Sequence, residues 1–332
     1  MNLLKYKRTI VGILLLAGLL ILSFLYPMYG PKDFGKMTFI YDGNGKLIGV
    51  PPLPPSFEHP FGIDRNGQDI LLMMISGAKY TLIMAFGITL LRVFFGGMIG
   101  IILSLWARRI LPAVKDFLLV FQLVPSIVLT LPLIAQSISK QDFIYQFLLY
   151  QMMILVIVGI PAIITVTTDI IEKLKGETFI QSSYLMGAGH FHVLKTQLKP
   201  FLKSYGLIIG LQHFINSLGL MMFLGAFRIY IGGFSTEEVR GLEIPNSYTK
   251  EWAGLIGQNF GEFTRAPWIV LAPLFSYFFI ILIINMIKKE LETGMDPNMA
   301  GSSLKRKTTK QKKIEVKNRP SGSDFSLQRH HT

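Results

Sequence analysis

"FIYQFLLYQMMILVIVGIPAIITVTT", Phe143 to Thr168, runs for 26 residues without an Asp, Glu, Lys or Arg. A bilayer core about 30 Å thick requires about 20 mostly apolar helical residues, so this run is long enough to cross one. Five further stretches meet the same requirement: Ile10 to Tyr29, Tyr80 to Trp106, Phe117 to Gln136, Ser204 to Phe227 and Ala266 to Ile287. Lipid offers no partner to backbone N–H and C=O groups, which forces each run into a helix. The fold class expected is all-α, a polytopic membrane protein with six transmembrane helices. Composition agrees, with 51% of the 332 residues hydrophobic and only 16% charged.

An even number of spans puts both termini on one side, and Lys and Arg in the short loops identify it. With a cytoplasmic N-terminus, the inner side carries Lys5, Lys7, Arg8, Arg108, Arg109, Lys115, Lys173, Lys175, Lys195, Lys199, Lys203 and the C-terminal tail. The chain then divides into an N-terminus with the first span (1–29), an extracytoplasmic loop (30–79), a core of spans (80–287) containing an inner loop (172–200), and a basic tail (288–332). The first span follows "KYKR" as in a signal peptide, yet it ends "FLYPMYG" without a small-x-small cleavage site. It reads as a retained anchor.

The formal net charge of +13 does not point to nucleic acid, because eleven of the Lys and Arg residues lie after Ile287. That tail has few large apolar residues, so it is expected to be disordered and to lie near anionic lipid. Absence of cysteine excludes disulfides and thiolate metal sites. Lys36 and Lys46 follow glycines outside any P-loop frame, so the chain itself is not expected to cradle ATP. Neither a Gly-x-Ser-x-Gly elbow nor a His-Glu-x-x-His helix occurs, and His190 and His192 are spaced to point to different helix faces. No catalytic residue, metal site or bound cofactor is therefore assigned.

The outer stretch "MTFIYDGNGKLIGVPPLPPSFEHP" reads as two short strands about a Gly-Asn-Gly turn, followed by a stiff proline-rich connector. "FGIDRNGQDILLMMISGAKY" reads as a capped helix start, with Asp64 or Asp69 accepting from free N–H groups. It is not a calcium loop, since Ile75 stands where a bidentate Glu is required.

Inside the spans, Arg92 is the exceptional charge, either paired with a polar neighbour or placed on a pathway. In the fifth span Gly206, Gly210, His213 and Ser217 follow helical spacing, and Gln212 and Asn216 are neighbours at i and i+4. Such a strip either packs on another helix or lines a polar conduit.

The inner loop "FIQSSYLMGAGHFHVLKTQLKP", Phe179 to Pro200, is too polar for a span. Phe179 to Met186 spans two helical turns, Gly187-Ala188-Gly189 breaks them, and Phe191, Leu194, Leu198 and Phe201 then recur at helical spacing. Helix, glycine bend and second helix are expected.

This loop resembles the cytoplasmic coupling loop of ABC-importer permeases, whose pattern is Glu-Ala-Ala, a glycine four residues later and a terminal proline. Gly187 and Pro200 match, while Gln181-Ser182-Ser183 replace Glu-Ala-Ala. "HPFGIDRNGQDILLMMISGAKYTL", "VPSIV", "EWAGLI" and "APWIVLAPLFSYFFIILIINMIKKELETGMDPN" are similar, in order, to segments of the peptide and nickel permease group, in particular the second permease subunit of dipeptide and oligopeptide systems. Gln68 stands where that group has Arg, and Ser217-Leu218-Gly219-Leu220 replace its small and acidic stretch.

The resemblance implies a type I importer permease in a bacterial cell membrane, pairing with a homologous permease, two cytoplasmic ATPase subunits that hold ATP and Mg, and an extracytoplasmic binding protein. It implies an ATPase-coupling role for Phe179, Gln181, Ser182, Ser183, Tyr184, Met186, Gly187 and Pro200. Arg92, Gln212, His213, Asn216 and Ser217 are the candidates for a pathway or permease interface. A nickel, metallophore or haem importer of the same group, or a non-transporting scaffold or sensor, are the alternatives.

Overall fold

A computed structural model of the chain describes residues 6–31, 33–36, 40–41, 47–135, 144–239 and 242–295. It divides into two units, Met1–Leu291 and Glu292–Thr332; of the second, only the residues that end the last helix are described. The elements in order are α1 (Lys7–Tyr29), β1 (Ile40–Tyr41), β2 (Leu47–Gly49), α2 (Ile70–Leu105), α3 (Leu111–Leu123), α4 (Ser126–Ala135), α5 (Ile144–Lys175), α6 (Thr178–Leu185), α7 (His190–Val193), α8 (Lys199–Ala226), β3 (Phe234–Val239), β4 (Leu242–Ser247), α9 (Trp252–Asn259) and α10 (Pro267–Met295).

Among the described residues, five helices are long and apolar enough to cross a membrane, and α3 with α4 make a sixth crossing only if counted as one broken span. The third span, expected from Phe117 to Gln136, is thus broken within its "VPSIV" segment. α3 and α4 meet at an angle of 78°. Pro125 sits at the break, where it lacks the N–H a continuous helix needs and holds Val124 in extended conformation (ψ 127°).

Two boundaries also differ. α2 starts at Ile70 rather than Tyr80, because Asp69 caps it by accepting from the Leu72 N–H at 3.1 Å. Asp64 instead accepts from Asn66 N–H (2.9 Å) and Gln68 N–H (2.8 Å), closing the loop before the cap. At the other end α10 continues as helix to Met295, past Ile287 where the tail was expected to begin. The tail from residue 296 and the Gly-Asn-Gly turn lie outside the described residues; the two short strands flanking that turn are antiparallel.

The core forms where small residues let helices approach. Ser23 on α1 accepts from the Lys79 N–H and donates to the Ser76 carbonyl on α2, each at 3.0 Å. α9 lies buried along its whole length between α2 and α8. A Cβ at Gly77 would stand 1.8 Å from the Lys250 carbonyl oxygen, and one at Gly225 2.2 Å from that of Ala253. Only glycine fits at these two contacts. Trp252 anchors α9 by donating its indole N–H to the Met74 carbonyl (2.8 Å) and meeting the Tyr277 ring edge to face. Glu251 caps α9, accepting from Ala253 N–H (2.7 Å) and Ile231 N–H (3.3 Å).

Candidate functional site

The first candidate site starts from one arginine in an apolar helix. Arg92 on α2 is 3% exposed and crosses the space left by Gly159 on α5, where a Cβ would stand 2.1 Å from its Nε. Its Nε donates to the Leu155 carbonyl at 3.0 Å, Nη2 donates to the same oxygen, and Nη1 donates to Ser217 Oγ on α8 at 3.2 Å. Among the described residues no carboxylate pairs with it. A buried cation held only by neutral oxygens keeps its full charge and its attraction for an anionic group.

Beside it a cavity of about 290 Å³ opens at the α3–α4 break, lined by Arg92, Gln122, Ser126, His213 and Asn216 among others. The break does this by turning Ser126, the first residue of α4, and Gln122, in the last turn of α3, to one space. Gln122 donates to Thr165 Oγ1 on α5 at 2.7 Å, and His213 Nδ1 is buried without a protein partner. The wall therefore offers hydrogen-bond donors and acceptors with a net positive charge, a setting suited to a polar solute bearing carbonyl or carboxylate oxygens.

The sequence strip on α8 divides here. His213 and Ser217 are buried and Asn216 is exposed toward the cavity. Gln212 faces away from that cavity; its amide donates to Asn216 Oδ1 at 3.2 Å and its carbonyl accepts from Lys288 on α10. Gln122 has no local pattern to mark it, and Ser126, although within "VPSIV", was not singled out as a site residue; the Pro125 break was the available signal.

The second candidate site is the inner loop. α6 packs Ile180 against Leu105, Ile171, Leu174, Val193 and Leu198, and Ser183 is buried too. Gly187 then takes φ +88° with nothing within 4 Å of a would-be Cβ, so it serves backbone conformation and not close packing. α7 follows and passes through a π-helical turn, Leu194–Leu198, into α8. Pro200 explains the turn: it has no N–H for the Thr196 carbonyl, and the Lys199 N–H reaches back five residues to Leu194.

This wider turn changes which side chains face inward. Val193 and Leu198 are buried, while Phe191, expected in the same apolar stripe as Leu198, is 69% exposed. On α6, Gln181 donates to the Gly176 carbonyl (3.1 Å), Ser182 to that of Thr178 (2.8 Å), and Ser183 to that of Phe179 (3.1 Å). Tyr184 turns inward, its hydroxyl 3.1 Å from His190 Nδ1. Phe179 stacks on Phe201 with ring centroids 6.0 Å apart. The exposed apolar tip is Leu185 (89%) and Met186 (80%); Leu185 was missed because its neighbours Tyr184 and Met186 fit the same pattern.

These features define a class: a multi-pass, mostly helical membrane protein with a polar cavity among its helices and an apolar-tipped helical loop at one end. The chain matches no protein-family model. It is 25% identical over 304 residues to the dipeptide transport system permease protein DppC of Alkalihalophilus pseudofirmus, covering 89% of this chain and 87% of that one. It is 26% identical over 254 residues to the glutathione transport system permease protein GsiD of Shigella dysenteriae serotype 1, covering 74% and 75%. GsiD of Escherichia coli O6:K15:H31 is 25% identical over the same length.

Proposed function

We propose that this chain is the membrane-spanning permease subunit of an ATP-driven peptide importer. The observation that carries the reading is similarity to a dipeptide permease along 89% of the chain. The same six apolar stretches, the outer capped loop and the α6–Gly187–α7 element fall within one continuous order.

In this reading the loop from residue 172 to 200 faces the cytoplasm, as the Lys and Arg distribution favours, and the tip Leu185–Met186 docks on an ATPase subunit. A homologous permease completes the pathway and an extracytoplasmic protein delivers the peptide. α6 is wedged against the inner ends of α2, α5 and α8, so movement of the ATPases is transmitted to the spans as rigid bodies. Arg92, Gln122, His213 and Asn216 present donors to the peptide's carbonyl and carboxylate oxygens during passage.

The test is reconstitution of the complex purified from its native membrane, followed by measurement of peptide-stimulated ATPase activity and uptake of labelled peptide. Stimulation and uptake by short peptides are expected. Peptide-independent ATPase activity with no uptake of any peptide tested would overturn the assignment.

A further inference from the structure

A second cavity, of about 980 Å³, lies where the inner ends of α2, α3 and α5 meet α6. It is separate from the Arg92 cavity and shares no residue with it. Arg108, Arg109 and Lys175 bring three cationic side chains to its wall. Among the described residues the one carboxylate lining it is Glu172, and that group is already held by Lys115 at 2.6 Å. The cavity wall thus carries uncompensated positive charge.

One neutral group also lacks a partner. Ser104, on the last turn of α2, lines the same cavity and is 1% exposed, yet its hydroxyl makes no hydrogen bond. Lys175 donates to the Ser104 carbonyl, which holds that cation at the cavity wall. A buried hydroxyl without a partner costs about 1 to 3 kcal/mol, and a ligand oxygen at this place would relieve it. Trp106, 52% exposed beside Arg108, is the kind of aromatic that sits at a membrane–water boundary.

We propose that this cavity binds the phosphate of an anionic phospholipid headgroup. Two guanidinium forks and an ammonium suit a phosphate diester, and the hydroxyl supplies one further donor. The volume lies at the upper end of the range for small-molecule sites, large enough for a headgroup. A lipid is favoured over a free anion because the site opens at the ends of apolar spans, where acyl chains run beside the helices. The inference rests on the helices spanning a membrane and is independent of what the chain transports.

The location gives the lipid a consequence. Gln181 and Tyr184 of α6 and His190 of α7 close one side of the cavity, with the His190 ring 6.3 Å from that of Trp106 and 5.5 Å from that of Tyr184. An occupied site therefore joins the inner loop to the ends of α2 and α5. Lipid loss loosens the element that the proposed function assigns to ATPase docking.

The experiment is native mass spectrometry of the full chain, with its co-purifying subunits, titrated with dioctanoyl phosphatidylglycerol, dioctanoyl phosphatidylcholine or inorganic phosphate. Saturable retention of phosphatidylglycerol is expected, at least tenfold tighter than phosphatidylcholine. Arg108→Gln with Arg109→Gln should weaken it by at least tenfold, at about 1 kcal/mol for each lost charge. Ser104→Ala should weaken it about three- to tenfold while raising Tm, since the substitution removes a buried hydroxyl that has no partner in the fold. Lys195→Gln with Lys199→Gln, whose side chains lie outside the cavity, should leave it unchanged. Equal phosphatidylglycerol binding by wild type and the double arginine variant would overturn the proposal. So would inorganic phosphate binding as tightly as the lipid, which makes the site one for a free anion. Loss of ATPase subunits from the double variant with no lipid bound by wild type would make it a protein contact instead.

Discussion

Arg92 Nη1 donates to Ser217 Oγ at 3.2 Å, joining α2 to α8 across 125 residues of sequence, while Nε and Nη2 hold the Leu155 carbonyl on α5. One side chain therefore sets the spacing of three helices and charges the cavity they enclose.

Replacing Arg92 by Met keeps most of the volume and leaves the Leu155 carbonyl its place in the α5 ladder. Membrane insertion and abundance should persist. Labelled-peptide uptake should fall at least tenfold, the equivalent of about 1.4 kcal/mol or more. Ser217→Ala removes one of the three donations and should lower Tm slightly, at about 1 kcal/mol, with uptake within twofold of wild type. Uptake by Arg92→Met at the wild-type rate would remove this residue from the pathway.

Gly159→Ala tests the same arrangement from α5. Its Cβ would meet Arg92 Nε at 2.1 Å, so a loss of about 1 to 3 kcal/mol is expected from thermal unfolding in detergent. Gly18→Ala on α1, with nothing within 4 Å, should be neutral or slightly stabilising.

The seat of α9 depends on Gly77. A methyl there would stand 1.8 Å from the Lys250 carbonyl, a backbone atom that cannot swing aside, so Gly77→Ala should lose about 3 kcal/mol or more. Proteolysis between Arg228 and Arg265 should accelerate in step. A Gly77→Ala protein with wild-type Tm and protease resistance would contradict the packing.

At the inner loop, Leu185→Ser with Met186→Ser alters only exposed side chains, so Tm should move by less than the equivalent of about 0.5 kcal/mol. Transport coupled to ATP hydrolysis should nevertheless collapse, since the proposed docking tip is removed. Gly187→Ala, forced to φ +88°, should lose about 1 to 2 kcal/mol locally, read as faster amide exchange in α6. Normal coupling in the double serine variant would relocate the docking surface.

Two buried carboxyls make stability pH-dependent. Burial pushes Glu251 up to about 7 and Asp64 up to about 6, with the amide hydrogen bonds to each opposing the shift. Each therefore holds its proton more tightly folded than unfolded, where the values are 4.5 and 3.8. The folded state then binds the extra protons between about pH 4 and 7, and stability falls as pH rises through that window. Tm should be higher at pH 5.5 than at pH 8, by the equivalent of about 1 to 3 kcal/mol. Glu251→Gln should flatten most of that slope. A Tm that rises with pH over this range would contradict the assignment.

The residues alone determined the apolar spans, a carboxylate cap at Asp64 or Asp69, and the helix, glycine bend and helix of the inner loop. These depend on local quantities: run length against bilayer thickness, a carboxylate one position before a helix, and a glycine where φ turns positive. Arg92 was legible as exceptional for the same reason, since a charge in an apolar run is visible without any neighbour. His213, Asn216 and Ser217 were candidates beside it, but their meeting with it, and the presence of Gln122 and Ser126, were not legible. Gln122, Ser126, His213 and Asn216 come from three helical elements, and only the 78° bend at Pro125 and the crossing of α2, α5 and α8 bring them to one cavity. The inward turn of Tyr184, the outward Phe191 and the burial of the short α9 were likewise decided by tertiary packing. A π turn before Pro200 rotates side chains between faces, and backbone approach at Gly77 and Gly225 depends on partners distant in sequence. Hydropathy specifies that a segment is buried in lipid or protein; which atoms it meets there follows from how the helices cross.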